Sequence, residues 1–156
     1  MTIRILFVCL GNICRSPMAE FLMREKIKQA TLQNEIETSS AGTSGWHDGE
    51  NMHCGTAEIL DLHHINSAGF QSRKVRAEDW LSYDYIIAMD DANLQELEAL
   101  FGHHPEKLFK ITDLCPQLDC RNIPDPWYTK NFHQTYQLLD QCCNVLLSKI
   151  RVTHSL

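Results

Sequence analysis

The sequence lacks a long hydrophobic run, a block of basic residues and an even number of cysteines. Its longest apolar run near the N-terminus, residues 5–10, is too short for the core of a signal peptide or for a membrane span. The 14 Lys and Arg against 20 Asp and Glu give a formal charge of −6, which disfavours a nucleic-acid or anionic-membrane surface. Seven cysteines, an odd number, fit a reducing compartment. We therefore expect a cytoplasmic protein with no membrane insertion and no nucleic-acid partner.

The 156 residues show no repeat, low-complexity segment or linker, so we expect one domain over residues 1–156. Strand patterns occur at 3–8, 35–39, 83–89 and 108–112. Helical patterns occur at 17–30, 56–64, from Asp90 or Asp91 to 101, and at 132–150. This order predicts an α/β fold, a four-stranded parallel, Rossmann-like sheet with helices on both faces and right-handed crossovers.

A short loop joins the first predicted strand to the first predicted helix, with Cys9 at its start and Arg15 near its end. Ser16 is typical of an N-cap and Pro17 of the first helical position, while Gly11 would permit a tight curl. The free N–H groups of such a loop and the helix dipole favour an anion at its centre. We therefore predict a phosphate-binding loop formed by Leu10, Gly11, Asn12, Ile13, Cys14, Arg15 and Ser16.

The same loop suits Cys9 to nucleophilic attack on phosphorus. A helix N-terminus and a neighbouring arginine both favour the thiolate form of a cysteine. Arg15 offers planar, paired donors that match two oxygens of a phosphoryl group. Taken singly, such residues are more often a buried structural cysteine and a surface arginine. Their combination with a strand, a glycine and a helix start favours catalysis.

Other polar residues should meet Cys9 at one edge of the sheet, because parallel strands bind ligands at their carboxyl ends. Ser40 follows the second predicted strand, and a long excursion with Asp125 follows the fourth. Asp125 could protonate a leaving phenolate, whose conjugate acid has a pKa of about 10. The alternatives are that Asp125 only forms an Asp-Pro turn and that the nearby aromatic side chains pack in the core. The aromatic side chains predict a slot for a flat ring: Trp46, Trp127 and Tyr128.

Four blocks of the sequence resemble the low-molecular-weight protein-tyrosine phosphatases: residues 8–20, 39–43 with Trp46, 84–90 and 125–128. The resemblance covers nearly the whole chain and implies that family's fold, with no metal and no cofactor. It implies hydrolysis of phosphotyrosine and other aryl phosphates through a phosphocysteine intermediate. Cys9 would be the nucleophile, Arg15 the phosphate clamp and Asp125 the general acid. The implied partners are phosphotyrosine proteins, among them a bacterial tyrosine kinase or its targets.

The resemblance also implies roles for residues behind the loop. Asn12 would hold the loop in shape by hydrogen bonds, with Ser40 as its neighbour. Many relatives carry a histidine that pairs with the acid at the position of Glu20, but this chain has Gly69 there. The role of Glu20 therefore stays open between that network and a favourable interaction with the helix dipole.

Two side chains next to the nucleophile are also candidates. By resemblance, Ser16 would steady the Cys9 thiolate as well as cap the helix. Cys14 could capture an oxidised Cys9 as a disulfide, or it could be a small residue that packs under the loop. The residues alone leave both interpretations of Cys14 open, and the resemblance favours the redox role.

Other functions on this sequence are disfavoured. A non-catalytic phosphate-binding module would need neither Cys9 nor Asp125. Arsenate reductases of this fold need further redox cysteines near the site, and residues 56–114 contain none. A protein-arginine phosphatase on the same scaffold is the main alternative, but those enzymes usually carry threonine where this chain has Ile13. A zinc site could also be drawn from four cysteines, namely Cys9, Cys14, Cys115 and Cys120. The two cysteines of a zinc-binding pair are usually closer in sequence than these are.

Overall fold

The computed structural model describes all 156 residues. Its four strands are β1 (Ile3–Cys9), β2 (Ile36–Gly42), β3 (Tyr85–Ala88) and β4 (Leu108–Lys110). Its helices are α1 (Arg15–Gln29), α2 (Cys54–Leu62), α3 (Asp79–Ser82), α4 (Asp91–Phe101), α5 (Pro126–Thr129) and α6 (Phe132–His154). Two 3₁₀ turns, Ile111–Leu114 and Pro116–Leu118, follow β4.

The strands form one sheet in the order β2-β1-β3-β4, and every neighbouring pair is parallel. The predicted four-stranded parallel sheet is therefore confirmed. Because β1 is central, the loop that follows Cys9 lies in the middle of the carboxyl edge of the sheet. No helix has the length and apolar content needed to cross a bilayer.

Strand β1 is buried on both faces, as its β-branched and aromatic sequence predicts. Ile5 and Phe7 join a core with α1 and α6, whereas Leu6 and Val8 join a smaller core on the opposite face with residues of α4. Alternate side chains of one strand therefore contact helices on the two sides of the sheet. This packing holds the end of β1 in a fixed position.

The long C-terminal helix α6 packs against α1 through side chains at helical spacing. Its inward residues Leu139, Cys143, Leu146 and Ile150 are fully buried, in agreement with the helical pattern predicted over 132–150. At the edge of this contact, Nζ of Lys26 lies 2.6 Å from Oδ1 of Asp140. The contact between α1 and α6 thus holds α1 in a fixed position against the sheet.

Several predicted element boundaries were wrong. The second strand was predicted to end at 39, but it pairs with β1 as far as the Cys9–Gly42 pair, so Ser40 lies inside β2. The first helix begins at Arg15 with Cys14 as its N-cap residue, and no side chain caps it. The fourth strand ends at Lys110 and not at 112, and the excursion after it contains two 3₁₀ turns and α5, whose N-cap is Asp125.

Candidate active site

The loop after β1 is held against the end of β2 by main-chain hydrogen bonds. The Thr43 and Ser44 N–H groups donate to the carbonyls of Cys9 and Leu10, both at 2.9 Å. Gly42 allows this approach, because a Cβ atom there would lie 2.8 Å from the Leu10 carbonyl oxygen. This requirement could not be predicted from the sequence, since it arises only when the two strands pair.

Asn12 is the residue that lets the loop curl. It has a φ of 55°, in the left-handed region that asparagine tolerates better than most residues. Gly11 was predicted to provide this turn, but its φ is not positive. Gly11 is instead a point of close packing, since a Cβ atom there would lie 3.1 Å from the His47 ring.

Four hydrogen bonds fix Asn12. Its side-chain amide donates to the hydroxyls of Ser16 at 2.8 Å and Ser40 at 2.9 Å. Its side-chain oxygen accepts from the Arg73 N–H at 3.0 Å, and its carbonyl accepts from the Ser72 hydroxyl at 2.6 Å. The structure therefore joins Asn12 and Ser40 as the resemblance implied, and it adds Ser72, which the sequence analysis missed.

Cys9 is buried, and its sulfur lies 3.1 Å from the hydroxyl oxygen of Ser16. Ser16 was predicted as the N-cap, which is wrong, because its hydroxyl instead contacts the Cys9 sulfur, Asn12 and the carbonyl of Ala41. A hydroxyl at this distance can donate to a thiolate. The contact implied by the resemblance is therefore present, without the cap.

Arg15 is buried and points into a cluster of acceptors. Its Nη1 donates to Asp90 at 2.6 Å and to the carbonyl of Ile123 at 3.0 Å, and its Nη2 lies 3.4 Å from Asp125 Oδ2. Burial alone would lower its pKa, but the Cys9 sulfur and these carboxylates raise the pKa of Arg15, so the guanidinium stays charged. Its buried Nε has no partner, which leaves one donor for an oxyanion.

Asp125 lies across the same cavity on the loop before α5. Its Oδ1 accepts from the Trp127 N–H at 3.1 Å, so this carboxyl caps the short helix and is held in one orientation. Its other oxygen, Oδ2, contacts Arg15. The predicted acid and the predicted clamp are thus brought together from positions 110 residues apart.

A pocket of about 160 Å³ is lined by most of the predicted site residues, whereas Asn12, Ser16 and Ser40 are buried and are not part of its lining. Trp46, Trp127 and Tyr128 form part of its wall and stay partly exposed, with Tyr128 75% accessible. This exposure is expected of side chains that wall the entrance to a pocket and not of side chains that pack in the core. The complete lining is Cys9, Leu10, Gly11, Ile13, Cys14, Arg15, Trp46, His47, Asp125, Trp127 and Tyr128.

His47 is a lining residue that the sequence analysis missed. Its Nδ1 lies 3.0 Å from Oε2 of Glu50, and its ring centroid lies 6.3 Å from that of Trp127. The position directly after Trp46 was the only available signal.

The remaining thiol of the loop, Cys14, is buried and lines the pocket. Burial, together with the nearby Cys9 and Asp125, raises the pKa of Cys14 to about 12. Cys14 is therefore a neutral thiol at physiological pH. No group of three or more His, Cys, Asp and Glu side chains is arranged to hold a metal, so the zinc alternative has no cluster to support it.

A sequence model described as "Low molecular weight phosphotyrosine protein phosphatase" matches residues 4–155. The chain belongs to this family. Its members are cysteine-dependent phosphatases, which agrees with the thiol, guanidinium and carboxyl found in one pocket. The family match therefore supports the expectation drawn from the four sequence blocks.

Relatives with known names agree in sequence and structure. The low-molecular-weight protein-tyrosine phosphatase YfkJ of Bacillus subtilis is 41% identical over 150 residues, 96% of both chains. Its crystal structure has a TM-score of 0.94 and covers 98% of this chain and 97% of its own. PtpA of Staphylococcus aureus is 40% identical over 92% of this chain and 91% of its own. A Drosophila arginine phosphatase structure is 28% identical, with a TM-score of 0.84 over 94% and 97% of the two chains.

Proposed function

We propose that this phosphatase hydrolyses phosphotyrosine in proteins, with Cys9 as nucleophile, Arg15 as phosphate clamp and Asp125 as general acid. One observation carries the assignment: the three side chains line a single pocket whose entrance is walled by Trp46 and Tyr128. A phenyl ring reaches between such walls, while its phosphate meets the loop.

In the first step, the Cys9 thiolate attacks phosphorus in line with the tyrosyl oxygen. The S–P bond forms as the P–O bond breaks, and Asp125 gives its proton to the departing phenolate oxygen. The donors that stabilise the developing charge are the Arg15 guanidinium and the main-chain N–H groups at the N-terminus of α1. The hydroxyl of Ser16 stabilises the thiolate before attack.

In the second step, water attacks the phosphocysteine. Asp125, now a carboxylate, takes a proton from the water as the O–P bond forms and the S–P bond breaks. Inorganic phosphate leaves and the Cys9 thiolate is restored. The chain's own residues supply every proton transfer in this cycle.

The walls of the pocket favour an aryl substrate over a phosphorylated serine. The short side chain of phosphoserine cannot place its phosphate at the loop and also lie between Trp46 and the Trp127-Tyr128 segment. We expect phosphotyrosine peptides to be turned over far more efficiently than matched phosphoserine peptides. Equal kcat/KM values on the two peptides would contradict this role of the aromatic walls.

Arginine phosphatase activity is the second candidate, supported by the structural likeness to the Drosophila enzyme. Ile13 lines the pocket with an apolar side chain, which offers no hydrogen bond to a guanidinium group. We therefore expect phosphotyrosine to be preferred. Parallel assays with a phosphoarginine peptide and a phosphotyrosine peptide decide between the two substrates, and a preference for phosphoarginine would reverse this assignment.

The proposed partners are phosphotyrosine proteins, including a tyrosine kinase or its targets, in a cytoplasmic setting. All seven cysteines are free, which is consistent with a reducing compartment. Cys14 is the proposed resolving thiol, because it lines the same pocket as Cys9. Phosphate in the pocket should protect both from oxidation.

A further inference from the structure

A second polar cavity, of about 260 Å³, lies behind the phosphate-binding loop at the outer edge of β2. Glu20 is buried in its wall, where its Oε1 accepts from the Ser40 hydroxyl at 2.6 Å. Its Oε2 lies 2.5 Å from Nη2 of Arg24, which also donates to the carbonyl of Thr38 at 3.0 Å. Gly69 borders this cavity but has no side chain to offer Glu20, and the cation in contact with Glu20 is Arg24.

A continuous series of hydrogen bonds connects this ion pair to the nucleophile. Because a carboxylate can only accept, the single proton of Ser40 points to Glu20, and its lone pair accepts from the amide of Asn12. The second proton of that amide goes to Ser16. The hydroxyl proton of Ser16 then has two acceptors within reach, the Cys9 sulfur at 3.1 Å and the carbonyl of Ala41 at 3.3 Å, and a thiolate is the charged one of the two.

The charge of Glu20 gives this series a strong acceptor at its far end. Burial raises the pKa of Glu20, while the Ser40 hydroxyl and the guanidinium groups of Arg24 and Arg73 act in the opposite direction. Arg73 is already held by a close ion pair with Asp79. Arg24 is therefore the cation in direct contact with Glu20, and without it the buried carboxyl would tend to take up a proton.

We propose that Arg24 is a positioning residue for Cys9, because it keeps Glu20 a charged acceptor that fixes Ser40, Asn12 and Ser16 in the orientation needed by the thiolate. A neutral acid is a weaker acceptor than a carboxylate, so its hydrogen bond to Ser40 loses charge assistance. The left-handed turn at Asn12 then loses part of its support. Arg24 itself touches neither substrate nor the reacting atoms.

The test replaces Arg24 by Met and measures kcat, KM and the alkylation of Cys9 by iodoacetamide as a function of pH. We expect kcat to fall about fivefold with little change in KM, the size expected when a charge-assisted hydrogen bond becomes a neutral one. The alkylation profile should move to higher pH, so that Cys9 reacts more slowly at pH 6. Arg24→Lys keeps the charge and should recover most of both properties.

Two controls separate this role from general stability. Lys28→Met removes an exposed charge one turn further along the same helix and should leave kcat and the alkylation profile unchanged. Glu20→Gln should reproduce the effect of Arg24→Met, and the double variant should be no worse than either single variant. All assays are run well below each variant's melting temperature.

The proposal is overturned if Arg24→Met keeps the wild-type kcat and alkylation profile. It is also overturned if the double variant loses as much kcat as the losses of Arg24→Met and Glu20→Gln combined. The proposal rests on the assignment of Cys9 as nucleophile, and the two fail differently. An active Cys9→Ser variant would remove that assignment. An inactive Cys9→Ser variant together with a normal Arg24→Met variant would remove only the role of Arg24.

Discussion

Nη1 of Arg15 lies 2.6 Å from Oδ2 of Asp90, so the buried guanidinium of the phosphate-binding loop is joined to the first turn of α4. Oδ1 of the same carboxylate accepts from the Asn93 N–H at 2.7 Å and caps that helix. Asp90 therefore links the loop after β1 with the loop after β3. This link orients Arg15 before any phosphate is bound.

Asp90→Asn tests this orientation. Asparagine is also a good N-cap, so α4 should keep its stability, while Arg15 loses its closest anionic partner. We expect kcat to fall about tenfold, the effect of replacing a charge-assisted hydrogen bond, with a small change in melting temperature. Asp91→Asn, next in sequence but paired with Lys110, is the control. Unchanged kcat in Asp90→Asn would show that Arg15 is oriented by other groups.

Asp125→Asn tests the general acid. Asparagine can still accept the hydrogen bond from Trp127, so the loop should keep its shape, but it has no proton to give. Hydrolysis of a phosphotyrosine peptide should slow by at least about 10²-fold. Hydrolysis of p-nitrophenyl phosphate should slow less, because nitrophenolate leaves more readily without a proton. Equal losses on both substrates would indicate that Asp125 binds or supports the site and does not donate a proton.

Cys14→Ser tests the resolving thiol. Peroxide oxidises accessible thiolates to sulfenic acids, and a neighbouring thiol converts such a species to a disulfide that a dithiol can reduce. The wild-type enzyme should recover after peroxide and dithiothreitol, whereas Cys14→Ser should keep its activity beforehand but recover much less. Inorganic phosphate should protect both proteins. Identical recovery, or no Cys9–Cys14 linkage in mass spectra, would leave Cys14 as a packing residue.

Buried thiols should make folding sensitive to alkaline pH. Burial raises the pKa of Cys143 to about 12 from an ordinary value of 9.0. Between these values the unfolded chain loses a proton that the folded chain keeps, so this contribution to stability is present below pH 9 and is lost as pH rises toward 12.

Cys143→Ala should therefore lose less stability than wild type when pH is raised from 8 to 10.5. The expected difference in the change of unfolding free energy is about 2 kcal/mol, and urea unfolding at the two pH values measures it. Because the comparison uses only the change in unfolding free energy with pH, the destabilisation caused by the cavity that alanine leaves cancels. Equal changes in the two proteins would mean that Cys143 does not keep its proton in the folded state.

Residues close in sequence were the most predictable part of this site. Cys9 and Arg15 could be placed because five residues between a strand and a helix leave few ways to close a loop. Asp125 could be placed at the same edge because parallel strands end there. Its aromatic neighbours then predicted the entrance to the pocket.

Pairwise contacts between distant segments could not be predicted. Asp90 was expected at the end of the third strand and as a candidate helix cap, but nothing local indicates that Arg15, 75 residues earlier, shares its carboxylate. Ser16 and Gly11 were given the roles that their residue types usually have. Their actual roles depend on their surroundings: Ser16 contacts the Cys9 sulfur, and Gly11 packs against the His47 ring. The ion pair of Glu20 with Arg24 was also missed, although the two lie one helical turn apart.

The role of Cys9 as nucleophile is tested by the turnover of a phosphotyrosine peptide by Cys9→Ser, with Cys54→Ser as the matched control. Cys54 is an exposed thiol outside the pocket, so its variant should behave like wild type. Serine is close to cysteine in size, so Cys9→Ser should fold and melt nearly as wild type does. We expect it to lose at least about 10³-fold in kcat, because its hydroxyl is a far weaker nucleophile at neutral pH. Turnover by a folded Cys9→Ser protein at the wild-type rate would show that Cys9 is not the nucleophile.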